Sequence, residues 1–270
     1  MSQDSSFTRK YREVLDRAKA DVLGFLKSKQ TGWVMQIKIF LEEKYFHWIT
    51  ENAINELYCE GKLRRRRRRV GEQKLTFYFL PEFSYAEVSP KINLEIPLIT
   101  KYFDISQMAG YHAEDLVEKA LKKAGYIVVS KNSTYFQGKM WPYKEKGDLD
   151  FIAYGKFEDR WYGIQVKNKL RYPDPGDIYS FFDVNKYLGL TPWFIARMLP
   201  KTYIWNIIRS GGFVSLYPQG RWLLPENCKQ LGEKIEQELG VPTLATDEPT
   251  PEMVRDLEKI KTLEPRRAKK

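Results

Sequence analysis

Three polar side chains with the chemistry of a metal site lie close together in the stretch GDLDFIAYGKFEDRWYGIQVKNK, residues 147–169. Asp150 offers a carboxylate, Gln165 an amide oxygen and Lys167 an ammonium group. Carboxylate and carbonyl oxygens are the ligands that hard divalent cations prefer, and an ammonium group can steer an attacking water or stabilise developing negative charge. The stretch therefore predicts a small metal-assisted hydrolytic site, provided that the fold brings these groups together.

The elements that must position these groups are two strands joined by a polar turn, predicted at 149–154 and 161–167. Successive strand residues point to opposite faces, so Asp150 is expected on the face opposite Leu149 and Phe151. Gln165 and Lys167 share one face for the same reason. If the two strands pair as a hairpin, the three polar groups converge. A plain cross-strand ion pair on a solvated sheet face is the alternative.

A helix predicted over 105–124 precedes the hairpin, and its apolar residues recur at helical spacing. Glu114 lies at the margin of the apolar stripe, so its carboxylate points into or along the protein. Four residues later Glu118 would repel it, which makes a cation near Glu114 attractive. Asp148 is the nearest competitor of Asp150, because residues two apart in a strand share a face.

The order of a helix with Glu114, a strand, a strand with Asp150 and a strand with QVK resembles the PD-(D/E)xK, or restriction-endonuclease-like, nuclease superfamily. The match covers about residues 105–170. AEDLVEKALKKAGY looks like the first helix of its Holliday-junction-resolvase-like branch. Gln165 stands where most members have Glu, a variant familiar from Mrr-type modification-dependent restriction endonucleases, which also carry a winged helix before the nuclease domain.

The resemblance implies an α/β fold, with a mixed sheet flanked by helices, and Mg²⁺-dependent cleavage of DNA, with Mn²⁺ able to substitute. The metal ligands would be Glu114, Asp150, Gln165 and the backbone carbonyl of Val166. Lys167 would orient the attacking water and stabilise the pentacoordinate phosphorus. Because an amide is a weaker ligand than a carboxylate and cannot act as a base, Gln165 is the point where this chain departs from the common pattern.

The N-terminal region resembles a winged helix-turn-helix across residues 7–82. Helices are predicted at 7–29, 34–43 and 50–60, and two strand-like runs around Gly71 predict a hairpin. The resemblance implies that the third helix enters a major groove while the hairpin touches the DNA backbone. Six consecutive arginines stand in the first strand of the hairpin, and their planar guanidinium groups suit phosphate oxygens: Arg64, Arg65, Arg66, Arg67, Arg68 and Arg69. A solvated charged face is the alternative.

Composition supports a polyanionic partner and excludes several other classes. Of 270 residues, 45 are Lys or Arg and 35 are Asp or Glu, which gives a formal charge of +10. Two cysteines without a CxxC spacing and two histidines exclude a disulfide framework, a zinc knuckle and a His-rich metal site. No long apolar run is present, so we expect neither membrane spanning nor secretion, and a cytoplasmic location.

The predicted organisation has four parts. Residues 1–85 form the winged-helix domain, 86–100 a connector containing two prolines, 101–240 the nuclease domain and 241–270 a flexible charged tail. Strands alternating with helices after the hairpin predict a mixed sheet covered by helices.

We expect DNA as the partner, and a homodimer is compatible with cutting both strands. Lys169 and Arg171 after the QVK motif are candidates for holding the scissile strand, with simple solvent exposure as the alternative. Restriction of modified or foreign DNA is one expected role. A branched-DNA resolvase and a DNA-binding regulator or recombination factor with a degenerate nuclease fold stay open as alternatives.

Overall fold

The structure, a computed structural model, describes residues 3–143, 145 and 147–264. This part of the chain is a mixed α/β protein: N-terminal helices with a small antiparallel sheet precede a five-stranded mixed sheet. The chain divides into two units. The first comprises the chain up to Asp104 together with Glu233–Val241, and the second comprises Ile105–Gly232 together with the chain from Pro242. None of the described helices has the length and apolar character needed to cross a membrane.

The first unit begins with three helices and three strands in the order helix, strand, helix, helix, strand, strand. Their bounds are α1 Gln3–Lys29, β1 Thr31–Trp33, α2 Val34–Leu41, α3 His47–Cys59, β2 Arg64–Val70 and β3 Gln73–Phe79. The three predicted helices and the hairpin are confirmed. The strands form an antiparallel sheet in the order β1-β3-β2. Strand β1 was not predicted, because its Thr31-Gly32 pair reads as a helix break.

Gly61 ends α3 and turns the chain into the arginine strand β2. Its φ of +72° is left-handed, where glycine has no steric penalty. The N–H of Gly61 donates to Tyr58 O at 3.1 Å and the N–H of Lys62 donates to Leu57 O at 2.9 Å. These two bonds are the paired C-terminal bonds of a Schellman motif. These local backbone bonds therefore fix the residue at which α3 ends and the chain turns toward the arginine strand.

The predicted connector at 86–100 is wrong, because this segment is the first part of a long helix, α4, over Tyr85–Lys123. The helix contains two prolines, Pro90 and Pro97. Proline disfavours a helix interior because it lacks an N–H donor. The segment also carries three fully buried apolar residues at helical spacing: Val88, Ile92 and Ile99. Burial of this stripe stabilises the helix against the cost of the prolines.

In its described residues the second unit contains the C-terminal part of α4, the five-stranded sheet, further short strands and the helices α5, α6 and α8. Its strands are β4 Tyr126–Ser133, β5 Tyr135–Phe136, β6 Lys139–Met140, β7 Leu149–Gly155, β8 Arg160–Lys167, β9 Thr191–Ala196, β10 Phe213–Leu216, β11 Trp222–Leu224 and β12 Thr243–Ala245. Its helices are α5 Pro175–Leu188, α6 Lys201–Arg209 and α8 Pro251–Lys259, and α7 Lys229–Leu239 extends into the first unit.

The five-stranded sheet has the order β10-β9-β8-β7-β4. Strand β7 is antiparallel to β4 and β8, whereas β9 runs parallel to β8 and β10. Apolar residues of α4 and α8 pack with Trp193 and Ile195 on one face, and residues of α5 and α6 pack with Phe194 on the other. Alternate side chains of β9 therefore enter two separate hydrophobic cores, one on each face of the sheet.

The predicted flexible tail at 241–270 is wrong for its described part. Strand β12 pairs with β11, and the Thr250 hydroxyl caps α8 by accepting a hydrogen bond from the N–H of Met253. Met253, Leu257 and Ile260 are buried in the core that also contains residues of α4. These three residues, which read as a weak helix by themselves, gain their stability from tertiary burial. Residues 265–270 lie outside the described part.

Candidate active site

The hairpin formed by β7 and β8 brings Asp150 and Gln165 into direct contact. Its register pairs Phe151 with Ile164, which places Asp150 beside Gln165 on the neighbouring strand. The amide nitrogen of Gln165 donates to Oδ2 of Asp150 at 2.6 Å, and the backbone N–H of Val166 donates to the same oxygen at 2.5 Å. Both side chains are buried. The predicted convergence of the carboxylate and the amide is confirmed.

The predicted sheet face is wrong for one residue of β7, Leu149. Phe151 packs in the core beside α4, as expected from its alternation with Asp150. Leu149 packs instead in the core beside α5, together with Ile152. Strand β7 begins at Leu149, so regular alternation is not established at its first residue. The prediction holds for Asp150 relative to Phe151 and fails for Leu149.

A polar cavity of about 150 Å³ lies between the β7–β8 hairpin and α5. Asp150, Gln165 and Lys167 all line it, so the three groups of the motif do share one space. The other lining residues are Gly147, Asp148, Asp177, Ser180, Phe181 and Val184. In the described chain no ion pair joins Asp150 to Lys167, so the alternative of a simple cross-strand ion pair is not what is observed.

Asp177 and Ser180 were missed by sequence reasoning. They lie in the first turns of α5, which follows β8 in the chain after a proline-containing segment. No residue spacing relates them to the QVK motif, because only the packing of α5 on the sheet brings them to the cavity. The presence of an acidic residue shortly after Pro175 was the sole local signal, and it reads equally well as a residue suited to a helix N-terminus.

Glu114 lies on α4 and does not line the cavity, although it is electrostatically coupled to the residues that do. Burial, followed by the negative charge of Asp150, raises the pKa of Glu114 to about 7, and Lys167 opposes this rise. Its neighbour Glu118 is engaged elsewhere, in ion pairs with Lys122 and Lys131. The prediction that Glu114 faces inward near Asp150 agrees with this half-buried position.

Asp150 is held in an environment that disfavours its charge. Burial raises the pKa of Asp150 above its ordinary value, whereas Lys167 and the N–H of Val166 oppose that rise. Asp148, the competing carboxylate, adds to it. Two carboxyl groups with raised pKa values near one lysine are typical of a functional site, because a cation or substrate can supply the missing positive charge.

The backbone after Lys167 is fixed by two buried side chains. The Asn168 amide donates to the carbonyls of Ala109 and Leu223 at 2.9 and 2.8 Å and accepts from the N–H of Leu223 at 3.1 Å. Arg197 donates to the carbonyls of Lys169, Leu170 and Gly220 at 3.0–3.1 Å. Such bonds restrict the end of β8 and thereby the position of Lys167. Sequence reasoning assigned no role to either residue.

Tyr217 adds a buried hydroxyl close to the two carboxyl groups. It packs in the same core as Val117 and Val166, and its hydroxyl oxygen has no hydrogen-bond partner among the described residues. Burial, with the nearby charges of Asp150 and Glu114, raises the pKa of Tyr217. This residue follows β10 and is 67 positions beyond Asp150 in the printed sequence, so no local pattern pointed to it.

The remaining predicted site residues do not line the cavity. Val166 contacts Asp150 through its N–H, and its carbonyl, the expected metal ligand, is not part of the lining. Lys169 is exposed, and Arg171 forms a surface ion pair with Asp174 at 3.5 Å. Three lysines in the loop before β7 were also predicted near the site: Lys139 belongs to β6, and Lys144 and Lys146 lie outside the described residues.

The oxygen ligands near the cavity suit a cation that has few protein ligands and keeps several waters better than a cation that is coordinated by protein alone. Within the described residues, no group of three or more His, Cys, Asp or Glu side chains is arranged to hold a metal ion. Mg²⁺ commonly binds through one or two carboxylates and keeps several waters. Asp150, with Asp148 in the same cavity and Glu114 nearby, meets that requirement. Gln165 turns its amide nitrogen toward Asp150, so its oxygen is the atom left to act as a ligand.

No model of a known protein family, no curated protein and no solved structure matches this chain.

Proposed function

We propose that this chain is a metal-dependent DNA endonuclease built on a restriction-endonuclease-like fold and preceded by a winged helix. The observation that carries the proposal is the convergence of Asp150, Gln165 and Lys167 on one polar cavity, with Glu114 close enough for its pKa to respond to two of them. The order of α4, β4, β7, β8, α5 and β9 and the mixed sheet support the fold assignment.

In this proposal Asp150, Glu114 and the oxygen of Gln165 would hold Mg²⁺ or Mn²⁺, with Asp148 as a further candidate. The bound cation would neutralise charge on the scissile phosphate and lower the pKa of a water. The Val166 N–H and the Gln165 amide orient the Asp150 carboxylate. Burial is the main cause of the raised pKa values of Asp150 and Glu114, and a bound cation would favour their charged forms.

Lys167 is the residue proposed to act on the phosphate. Lys167 lines the cavity that contains Asp150, and in this proposal its positive charge would stabilise the negative charge that grows on the phosphate during hydrolysis. The bonds that Asn168 and Arg197 make to the neighbouring backbone keep the end of β8 in place. Preorganised charge of this kind stabilises a transition state without reorganisation at the moment of reaction.

The first unit supplies a reason for DNA to be the substrate. Its element order, α1-β1-α2-α3-β2-β3 with a three-stranded antiparallel sheet, supports a winged helix. The arginines on β2 give it a dense positive strip that suits the phosphate backbone.

A second candidate function is a DNA-binding regulator with a degenerate nuclease fold. It is favoured by the hydrogen bond that the Gln165 amide nitrogen donates to Asp150. Most superfamily members have a carboxylate at the position of Gln165, and a carboxylate would leave Asp150 free of this donor. The two candidates share the DNA partner and differ in whether phosphodiester bonds are cleaved.

The deciding experiment incubates the full chain with linear, branched and methylated duplexes in Mg²⁺, in Mn²⁺ and in EDTA. We expect cleavage of at least one duplex with either metal and none in EDTA. Binding of DNA without cleavage of any duplex would reject the nuclease and favour the regulator. The branched and methylated substrates separate a resolvase from a modification-dependent restriction enzyme.

A further inference from the structure

The six arginines of β2 lie on the surface of the first unit. Five of them are exposed and Arg68 is half-buried. In the part of the chain that the structure describes, no carboxylate forms an ion pair with any of the six. Neighbouring like charges repel one another, and a polyanion relieves that repulsion.

Two tyrosine rings contact three of these arginines. One ring contacts Arg65, and the other ring contacts Arg66 and Arg68, which alternate with Arg65 along the strand. The guanidinium group of Arg65 lies over the ring of Tyr58 at 4.3 Å from the centroid. Arg66 and Arg68 both lie over Tyr85, at 4.3 and 5.4 Å. A guanidinium group stacked on a ring uses its face and keeps its in-plane N–H donors for another partner. The rings therefore restrict the arginines without using their hydrogen-bonding capacity.

Helix α3, the element that a winged helix ordinarily presents to a major groove, has the opposite character. It contains no Lys or Arg. Its glutamates are engaged in ion pairs: Glu51 with Lys38 at 2.6 Å, and Glu56 with Lys19 at 2.6 Å and Arg12 at 3.1 Å. Arginine and lysine supply the commonest base-specific contacts in the major groove, and α3 offers neither.

We propose that the first unit holds duplex DNA through its phosphate backbone along β2, with Tyr58 and Tyr85 positioning the arginines, and that α3 does not read base sequence. The proposal rests on the proposed function only in taking DNA as the partner. It differs from the expectation that the winged-helix resemblance gives, in which α3 enters a major groove. It also assigns Tyr85 as a positioning residue, because this one ring orders two arginines.

The test measures DNA binding of the full chain with Asp150→Asn in the background and no divalent metal, by fluorescence anisotropy at several salt concentrations. Two duplexes of unrelated sequence are expected to bind within about twofold of each other. The variant Arg66→Gln with Arg68→Gln should weaken binding about tenfold or more and reduce the slope of log K against log salt by about one per arginine.

Tyr85 provides a matched pair of variants. Its hydroxyl is buried without a hydrogen-bond partner among the described residues, so Tyr85→Phe removes no bond there and keeps the ring. Tyr85→Leu removes the ring and should weaken binding about threefold to fivefold, whereas Tyr85→Phe should bind like the parent. On α3, Glu51→Gln and Asn55→Ala should leave affinity within about twofold. Circular dichroism and thermal melting check that each variant is folded.

Several outcomes would overturn the proposal: a strong preference for one duplex sequence, loss of binding in the α3 variants, equal binding by Tyr85→Leu and Tyr85→Phe, or tighter binding of an RNA duplex of equal length. Cleavage is measured separately on the wild-type chain. Binding as expected without cleavage rejects only the nuclease, and cleavage without dependence on β2 rejects only this inference.

Discussion

The cavity beside the β7–β8 hairpin and the arginine strand β2 both concentrate ionisable side chains, but they expose them to different degrees. Asp150 and Gln165 are buried and joined by a hydrogen bond, and Lys167 faces the same cavity. The arginines of β2 are mostly exposed, and two tyrosine rings contact three of them. In the cavity the position of each group matters, whereas along β2 the number of groups matters.

This contrast predicts different responses to substitution. Removing one group from a convergent buried site removes an interaction that no neighbour replaces. Removing one charge from a row of similar exposed charges takes away one phosphate contact and leaves the others. Loss of function should therefore be abrupt at the cavity and graded along β2.

The largest expected effect after that of Asp150→Asn, which changes the carboxylate proposed to bind the metal, is the effect of Lys167→Ala. We expect the cleavage rate at saturating DNA to fall about 100- to 1,000-fold, because the variant lacks the positive charge that we propose acts on the scissile phosphate. Rapid-quench measurement of the rate checks this. Lys156→Ala, which changes an exposed lysine in the turn between β7 and β8, is the matched control and should retain its rate. Equal losses in both variants would show that Lys167 has no special role.

A smaller, graded effect is expected on β2. Replacing Arg64–Arg69 stepwise with Gln should raise the DNA concentration needed for half-maximal cleavage by about threefold or more per arginine, with the rate at saturation nearly unchanged. Replacement with Lys should restore much of the affinity, because it keeps the charge. A drop in the saturated rate would contradict the separation of binding from chemistry.

The last effect is on stability and not on DNA cleavage, and it concerns Glu95, a fully buried carboxyl of the first unit. Burial raises the pKa of Glu95 to about 7, while Lys91 and Gln36 oppose this rise. Glu95 thus resembles Glu114 in its pKa but lies in no polar cavity described here. The comparison shows that a raised pKa by itself does not mark a site.

The pH dependence of the free energy of unfolding tests whether the pKa of Glu95 is raised in the folded chain. A folded-state pKa above the ordinary value means that the native chain binds the proton more tightly, so Glu95 lowers stability as pH rises from about 4.5 to about 7. Glu95→Gln should therefore gain stability relative to wild type on going from pH 5 to pH 8, by on the order of 1–3 kcal/mol. Urea unfolding at the two pH values measures the difference, and an equal difference at both would contradict the assignment.

Local patterns in the sequence predicted the centre of the site because strand alternation and hairpin pairing are short-range. That information located Asp150, Gln165 and Lys167 on neighbouring strands. It did not reveal Asp177, Ser180 or Tyr217, whose elements reach the site only through tertiary packing.

The errors in the fold have a similar cause. Two prolines in 86–100 indicated a connector, and the composition after Val241 indicated a flexible tail. Burial of Val88, Ile92 and Ile99 in one case, and of Met253, Leu257 and Ile260 in the other, outweighed those local signals. Local propensity is a weak guide where apolar residues at helical spacing find a core.

The proposed role of Asp150 as the ligand of the catalytic cation is tested by single-turnover cleavage of duplex DNA in Mg²⁺ by wild type and Asp150→Asn. We expect Asp150→Asn to cleave at least about 1,000-fold more slowly while it retains its DNA affinity without metal. Asp148→Asn, measured alongside, should lose less. Cleavage by Asp150→Asn within about tenfold of the wild-type rate would contradict the account.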